Sequence, residues 1–201
     1  MPLPVIAGID EVGRGALFGP VVAAAVILPD NACSVLIESG VKDSKLLSNI
    51  SRQKLVGKIR ELAIDCQIGV ASVREIDRLN ILQATLLAMK RAVLKLKIQP
   101  ELCLIDGNQT IPDLPFPQQT IVKGDRDNLA IASASIIAKV WRDDLIIRLA
   151  KKYSVYDLTN NKGYATAKHR AALQIYGASP LHRLSFSPCQ IGNIWEQPSL
   201  F

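Results

Sequence analysis

The stretch that most restricts this chain's fold is Val5-Ile6-Ala7-Gly8-Ile9, an apolar run of strand-forming residues that stops at Asp10-Glu11. A glycine-rich turn, Val12-Gly13-Arg14-Gly15, follows, and a second apolar run occupies residues 21–28 after Pro20. The first run has no polar alternation, which predicts a strand in the middle of a sheet, hairpinned to the second run. Carboxylates where a buried strand emerges are costly unless a cation or proton accompanies them. Consecutive strand residues point to opposite faces, so Asp10 and Glu11 share one site only if the strand stops or bends at Asp10. Gly13 and Gly15 allow such a bend and a close approach by a ligand. Taken alone, the dipeptide suits a solvated strand end.

A second run has the same design. Leu102-Cys103-Leu104-Ile105 ends at Asp106-Gly107, which predicts a central parallel strand with an acid at its C-terminal end, where open α/β sheets place ligands. Between the two designs, residues 30–41 read as an irregular connection and residues 51–63 as a helix with Leu55, Ile59 and Leu62 at helical spacing. Residues 65–73 read as a third strand, completing an antiparallel meander. Residues 74–77 read as a turn into the longest helix, residues 80–97, with Met89 on its core stripe. Asp43-Ser44-Lys45 suits a loop leading into a helix, with Ser48 or Ser51 as N-cap.

Beyond Asp106, residues 111–117 read as a proline-rich surface loop and residues 119–122 as a short strand. Asp127 is the expected N-cap of a small-residue helix through Ala132-Ser133-Ala134-Ser135, which leaves Asp125 free to face the site. In the last third, Tyr164 sits in a loop beside Lys162, and a helix is expected over residues 166–176. Basic residues interleaved with Tyr164, His169, His182 and Arg183 suit a groove that holds nucleic acid, where cations hold phosphates and rings stack.

Asp10, Glu11, Asp106 and Asp125 are four hard oxygen donors with no soft ligand nearby, a set that suits Mg2+ or Mn2+. Two such ions bridged by a phosphate could generate hydroxide and stabilise a departing oxygen. The formal charge of +6 over 201 residues favours a polyanionic partner. The four cysteines, Cys33, Cys66, Cys103 and Cys189, form no Cys-x-x-Cys pair, so reduced thiols are expected rather than a zinc or disulfide scaffold. No secretory leader or spanning segment is evident, which predicts a cytoplasmic protein with no membrane association.

Gly8-Ile9-Asp10-Glu11-Val12-Gly13-Arg14-Gly15, with Gly19-Pro20-Val21-Val22-Ala23-Ala24-Ala25-Val26, resembles the opening motif of the type 2 ribonucleases H, in particular the bacterial ribonuclease HII family. The resemblance extends over residues 5–188 and implies an α/β, ribonuclease H-like fold: a mixed five-stranded sheet flanked by helices, with a small C-terminal helical part. It implies a catalytic core over 1–152, a substrate-binding helical part over 153–188 and a tail over 189–201. The implied activity is endonucleolytic cleavage of the RNA strand of RNA–DNA hybrids, and incision 5′ to single ribonucleotides in duplex DNA as in ribonucleotide excision repair. Products would carry 3′-hydroxyl and 5′-phosphate ends.

Residue by residue, Asp10, Glu11, Asp106 and Asp125 match the family's metal-binding carboxylates. Gly13, Arg14 and Gly15 match the turn that reads the ribose 2′-hydroxyl, Tyr164 matches the aromatic at the RNA–DNA junction, and Lys45 matches a substrate-side contact. Ala16 stands where the family commonly has proline, and the run at 132–135 is richer in serine than usual. The tail residues Gln197, Leu200 and Phe201 resemble the short peptide that docks on the DNA sliding clamp, with Pro198 a departure; a frayed terminus is the alternative. The protein is expected to act as a monomer. Three rivals remain at this stage. One is a metal-free ribonuclease using His169 and His182; the second is a hybrid-binding module without activity. The third is another metal-dependent nuclease of the same fold.

Overall fold

The computed structural model describes residues 4–41 and 48–190, so Lys45, Gln197, Leu200 and Phe201 lie outside the described residues. The apolar run of the N-terminus forms β1 (Ile6–Val12), and the second run forms β2 (Val21–Ile27). These are followed by α1 (Ala32–Glu38), α2 (Asn49–Leu62), β3 (Asp65–Ala71), α3 (Val73–Leu79) and α4 (Ile81–Leu94). Then come β4 (Leu102–Asp106), β5 (Gln118–Ile121), α5 (Gly124–Asp127) and α6 (Leu129–Ala150). The C-terminal part carries α7 (Leu158–Asn161) and α8 (Ala167–Tyr176).

The strands form one sheet in the order β3-β2-β1-β4-β5. β1 pairs antiparallel with β2, and β2 with β3, while β1–β4 and β4–β5 are parallel. The central position expected for β1 is observed, as are the meander and the parallel β4.

Packing follows from side-chain size. All seven residues of β2 are buried, and its three consecutive alanines let helices approach both faces. On one face Ala7, Ile9, Ala23 and Ile105 meet Ala88, Met89 and Ala92 of α4. On the other, Val22, Ala24 and Val26 meet Ala132, Ile136 and Ile137 of α6. Gly8 makes a close contact: a Cβ there would lie 2.2 Å from the Ala130 carbonyl carbon, so only glycine lets α6 seat against β1. A third cluster, with Phe18, Ile146, Tyr156 and Leu173, joins the end of α6 to the C-terminal part.

Several local expectations are corrected. Residues 30–41 contain α1, which buries Ala32 and Leu36 one turn apart. The stretch read as a turn at 74–77 belongs to α3, which starts on a capping box in which Ser72 accepts from Glu75 N–H and Glu75 reaches back. The expected helix over 80–97 is shorter, because Asn80 takes a positive φ of 70°, separates α3 from α4 and caps α4 by accepting from Gln83 N–H. Among the described residues the longest helix is α6, with 22 residues. Its N-cap is Asn128 rather than Asp127, which closes the one-turn α5. The loop 111–117 is not wholly on the surface: Ile111 and Leu114 are buried, and the Gln118 amide bonds both the N–H and C=O of Ile111.

Candidate active site

β1 pairs with β4 only as far as Ile9 opposite Ile105, although its pairing with β2 continues to Val12. Asp10 and Asp106 therefore stand side by side one residue past the last parallel pair, on the face toward α6. The strand does not stop at Asp10, as expected from the alternation of side chains; its β4 neighbour stops instead. At that open rim Glu11 reaches the same place from the opposite face. One oxygen from each of Asp10, Glu11 and Asp106 lies within 4.8 Å of the others.

Asp125 is brought near by the β5–α5 connection, where Lys123 takes a left-handed φ of 60°. Its N–H donates to Asp106 Oδ1 at 3.4 Å, and its side chain lines the same cavity without joining the close group of three. The cavity, about 530 Å³, is also walled by Arg52, Lys123, Ser135 and Lys139. Sequence reading missed these four as site residues. Ser135 and Lys139 are one helical turn apart on α6, a spacing that could have revealed them once that face was known to meet β1.

The electrostatics match a site built for cations. Burial first, and the Glu11 charge next, hold Asp10 well above the usual carboxylate range; the Ser135 hydroxyl and Glu11 N–H oppose the shift by donating to it. Burial likewise raises Glu11, against the pull of Arg14, whose Nη1 lies 3.3 Å from Glu11 Oε1. Three crowded oxygen donors, of which Asp10 and Glu11 resist ionisation, fit a divalent ion of the Mg2+ or Mn2+ class beside open space. Among the described residues that line the cavity there is no softer donor, and burial pushes the Cys66, Cys103 and Cys189 thiols up to about 11.

The turn after β1 lies against the Tyr164 loop. Ala16 and Tyr164 form an isolated antiparallel bridge, and Leu17 N–H donates to Gly163 O at 2.8 Å. Lys139, on the cavity wall, sits 5.7 Å from the Tyr164 ring centroid and pairs with Asp143 at 2.9 Å. Arg14, through Glu11, and Tyr164, through Lys139, each adjoin a residue that lines the acidic cavity.

His169, His182 and Arg183 do not line a groove, contrary to expectation. All three are buried, and the two imidazoles meet at 3.0 Å between their Nε2 atoms. Ser179 N–H donates to His182 Nδ1, which assigns the proton to His182 Nε2; that proton goes to His169 Nε2, and His169 Nδ1–H donates to Tyr164 O. Burial depresses both histidines, His182 to about 3. Groups so enclosed and so hard to protonate cannot serve as general acid and base for a polymer substrate.

A five-stranded mixed sheet of this order, with acids at the rim of its first and fourth strands and helices on both faces, is a ribonuclease H-like fold. The family model for ribonuclease HII matches residues 7–189. A ribonuclease HII of Trichodesmium erythraeum is 67% identical over 195 residues, covering 97% of this chain and 89% of the relative. The ribonuclease H2 of Pyrococcus horikoshii superposes with a TM-score of 0.80 at 27% identity, covering 92% of this chain and 95% of that one. The RNase HII solved in a PCNA:RNase HII complex from Archaeoglobus fulgidus superposes at 0.72 with 31% identity, over 85% and 86% of the two chains. The chain belongs to the ribonuclease HII family and is an endoribonuclease of the ribonuclease H type. Among the described residues no helix is long and apolar enough to cross a membrane.

Proposed function

We propose that this ribonuclease H hydrolyses the RNA strand of RNA–DNA hybrids and incises duplex DNA 5′ to single ribonucleotides, leaving 3′-hydroxyl and 5′-phosphate ends. The observation that carries the reading is the convergence of Asp10, Glu11 and Asp106 within 4.8 Å, beside a glycine turn braced on the Tyr164 loop. Asp10, Glu11 and Asp106 hold Mg2+ or Mn2+, and Asp125 completes the acidic wall across the cavity. Bound there, the ions supply an activated water and offset the charge that builds on the phosphate and the departing oxygen. Lys123, Lys139 and Arg52 on the cavity wall neutralise and orient the backbone phosphates.

Discrimination comes from the other border. Main-chain groups of Gly13, Arg14 and Gly15 come close enough to a sugar to sense its 2′-hydroxyl, the group that separates RNA from DNA. Tyr164 packs against the sugar at the junction, held beside Ala16. The enzyme acts as a cytoplasmic monomer, and Lys45 contacts substrate. The archaeal relative solved in complex with PCNA supports clamp docking as a shared habit, for which Gln197, Leu200 and Phe201 are the candidate anchors here.

The test is a labelled DNA duplex carrying one ribonucleotide, incubated with Mg2+ or Mn2+ and mapped at nucleotide resolution. One metal-dependent cut 5′ to the ribonucleotide is expected, arrested by EDTA. Asp10→Asn should slow it at least about a hundredfold, the equivalent of about 3 kcal/mol of lost transition-state stabilisation. Cleavage that persists in EDTA, or an unaffected Asp10→Asn enzyme, would refute the assignment.

A further inference from the structure

Two arginines that no part of the reaction uses are buried beneath the turn after β1. Arg142 lies on α6 and Arg183 beyond α8, and both are fully enclosed. Neither has a carboxylate partner among the salt bridges of the described residues. Their hydrogen bonds go to main-chain carbonyls. Arg142 donates from Nε to Pro20 O at 3.0 Å, from Nη1 to Lys162 O at 2.9 Å and from Nη2 to Phe18 O at 2.9 Å. Arg183 donates from Nε to Gly19 O at 3.0 Å and from Nη1 to Arg14 O at 2.8 Å.

The segment from Gly13 to Pro20 lies between β1 and β2 and makes only two isolated bridges, so most of its carbonyls have no ladder partner. Buried carbonyls need donors, and a guanidinium fork supplies several in a fixed plane. The two forks therefore set where this turn lies relative to the Lys162 loop and Tyr164. Arg142 Cζ is also 5.6 Å from the Tyr164 ring centroid. The fit to the turn is close: a Cβ on Gly13, whose φ is +92°, would stand 2.2 Å from Arg142 Nε. Enclosing two like charges with no carboxylate at ion-pair distance is a costly way to stabilise a fold, since Asp143 and Asp77 act on them only from farther off. Burial first, and the Arg142 charge next, take Arg183 down to about 9, and burial lowers Arg142 as well. Five directed hydrogen bonds to one functional turn and its partner loop are what the expense secures.

We propose that Arg142 and Arg183 are positioning residues for sugar discrimination: together they fix the Gly13-Arg14-Gly15 turn against the Tyr164 loop, so that ribose and deoxyribose are told apart. This rests on the reading of that turn as the sensor of the 2′-hydroxyl. The arginines touch neither metal nor substrate, and they act through the main chain of the turn they hold. Replacing either with lysine keeps the charge and removes the fork, leaving one rotatable donor group for two or three carbonyls.

The test separates recognition from chemistry by working in the Asp10→Asn protein. Fluorescence anisotropy measures its Kd for a duplex with one ribonucleotide and for the all-deoxy duplex of the same sequence, with Mn2+ present. The parent should prefer the ribonucleotide duplex by at least about tenfold. Adding Arg142→Lys, or separately Arg183→Lys, should bring that preference to within about threefold of unity while the all-deoxy Kd changes less than about twofold. An unchanged preference in a folded variant, or an equal rise in both Kd values, would overturn the brace. A parent with no preference would overturn the underlying reading of the turn, a result distinguishable before any arginine is changed. Melting curves establish that each variant is folded. Should Arg142→Lys fail to fold, Arg183→Lys and Arg183→Gln decide the question by the same ratio.

Discussion

Asp10→Asn should make the metal-free protein more stable while destroying its activity. Asp10 is almost wholly buried and shares a space no wider than 4.8 Å with carboxylate oxygens of Glu11 and Asp106. Two charges at that separation repel by about 3.5 kcal/mol at an effective dielectric constant of about 20. Burial and this repulsion hold the Asp10 acid well above its unfolded value. A carboxyl with a raised folded-state pKa destabilises the fold as pH rises above the unfolded pKa, because the unfolded chain releases the proton first. At neutral pH, above the unfolded pKa, the metal-free wild type bears that cost. Asparagine keeps an acceptor for the Glu11 N–H, bonded at 2.7 Å, and removes the charge.

A net gain of about 2 kcal/mol is expected after partial relaxation in the wild type, raising Tm by about 4–8 °C for a chain of this size. The assay is thermal unfolding in EDTA at pH 7.5, then with a Mn2+ series. Binding to the native state alone stabilises by about 2.7 kcal/mol at a hundredfold excess over Kd, so Mn2+ should raise the wild-type Tm and shift the variant's far less. A lower Tm for Asp10→Asn in EDTA, or an equal Mn2+ shift in both proteins, would refute the reasoning.

Two other perturbations test how the site is held. Gly8→Ala should cost about 2–3 kcal/mol, read as a lower urea midpoint, because its Cβ meets backbone atoms of α6 that cannot rotate away. An unchanged midpoint would mean that the β1–α6 spacing is not tight. The chain has only two histidines, and both are held neutral in the fold. Their folded pKa values lie below the unfolded value, so their contribution is complete above about pH 6.5 and is lost as pH falls, by about 1.4 kcal/mol per unit for each. This slope is opposite in sign to that of Asp10, so it is best read in Asp10→Asn. There, His182→Asn should reduce it, and an unaltered acid slope would refute the histidine pair as its source.

How far the architecture was legible depended on whether its cause was local. The runs ending at Asp10 and Asp106 declared buried strands because each carries its apolarity continuously, and carboxylates at such ends advertise a site. The capping box at Ser72 and Glu75 was equally local and was overlooked, which is why α3 went unread. No local signal marked α1, whose two buried residues join the core cluster shared with α2 and α6.

The motif of the first fifteen residues marked the family and the Asp10-Glu11 pair through residue type and order alone. It could not show how adjacent residues reach one site, since that depends on the β1–β4 pairing ending at Ile9 while the β1–β2 pairing runs on to Val12. Nor could it show that His169, His182 and Arg183 are enclosed while Lys139 and Ser135 face the cavity. Those residue types suit either setting in the sequence. What decides between a buried hydrogen-bonding role and a place at the site is which surface a neighbouring element covers, and only the packed fold specifies that.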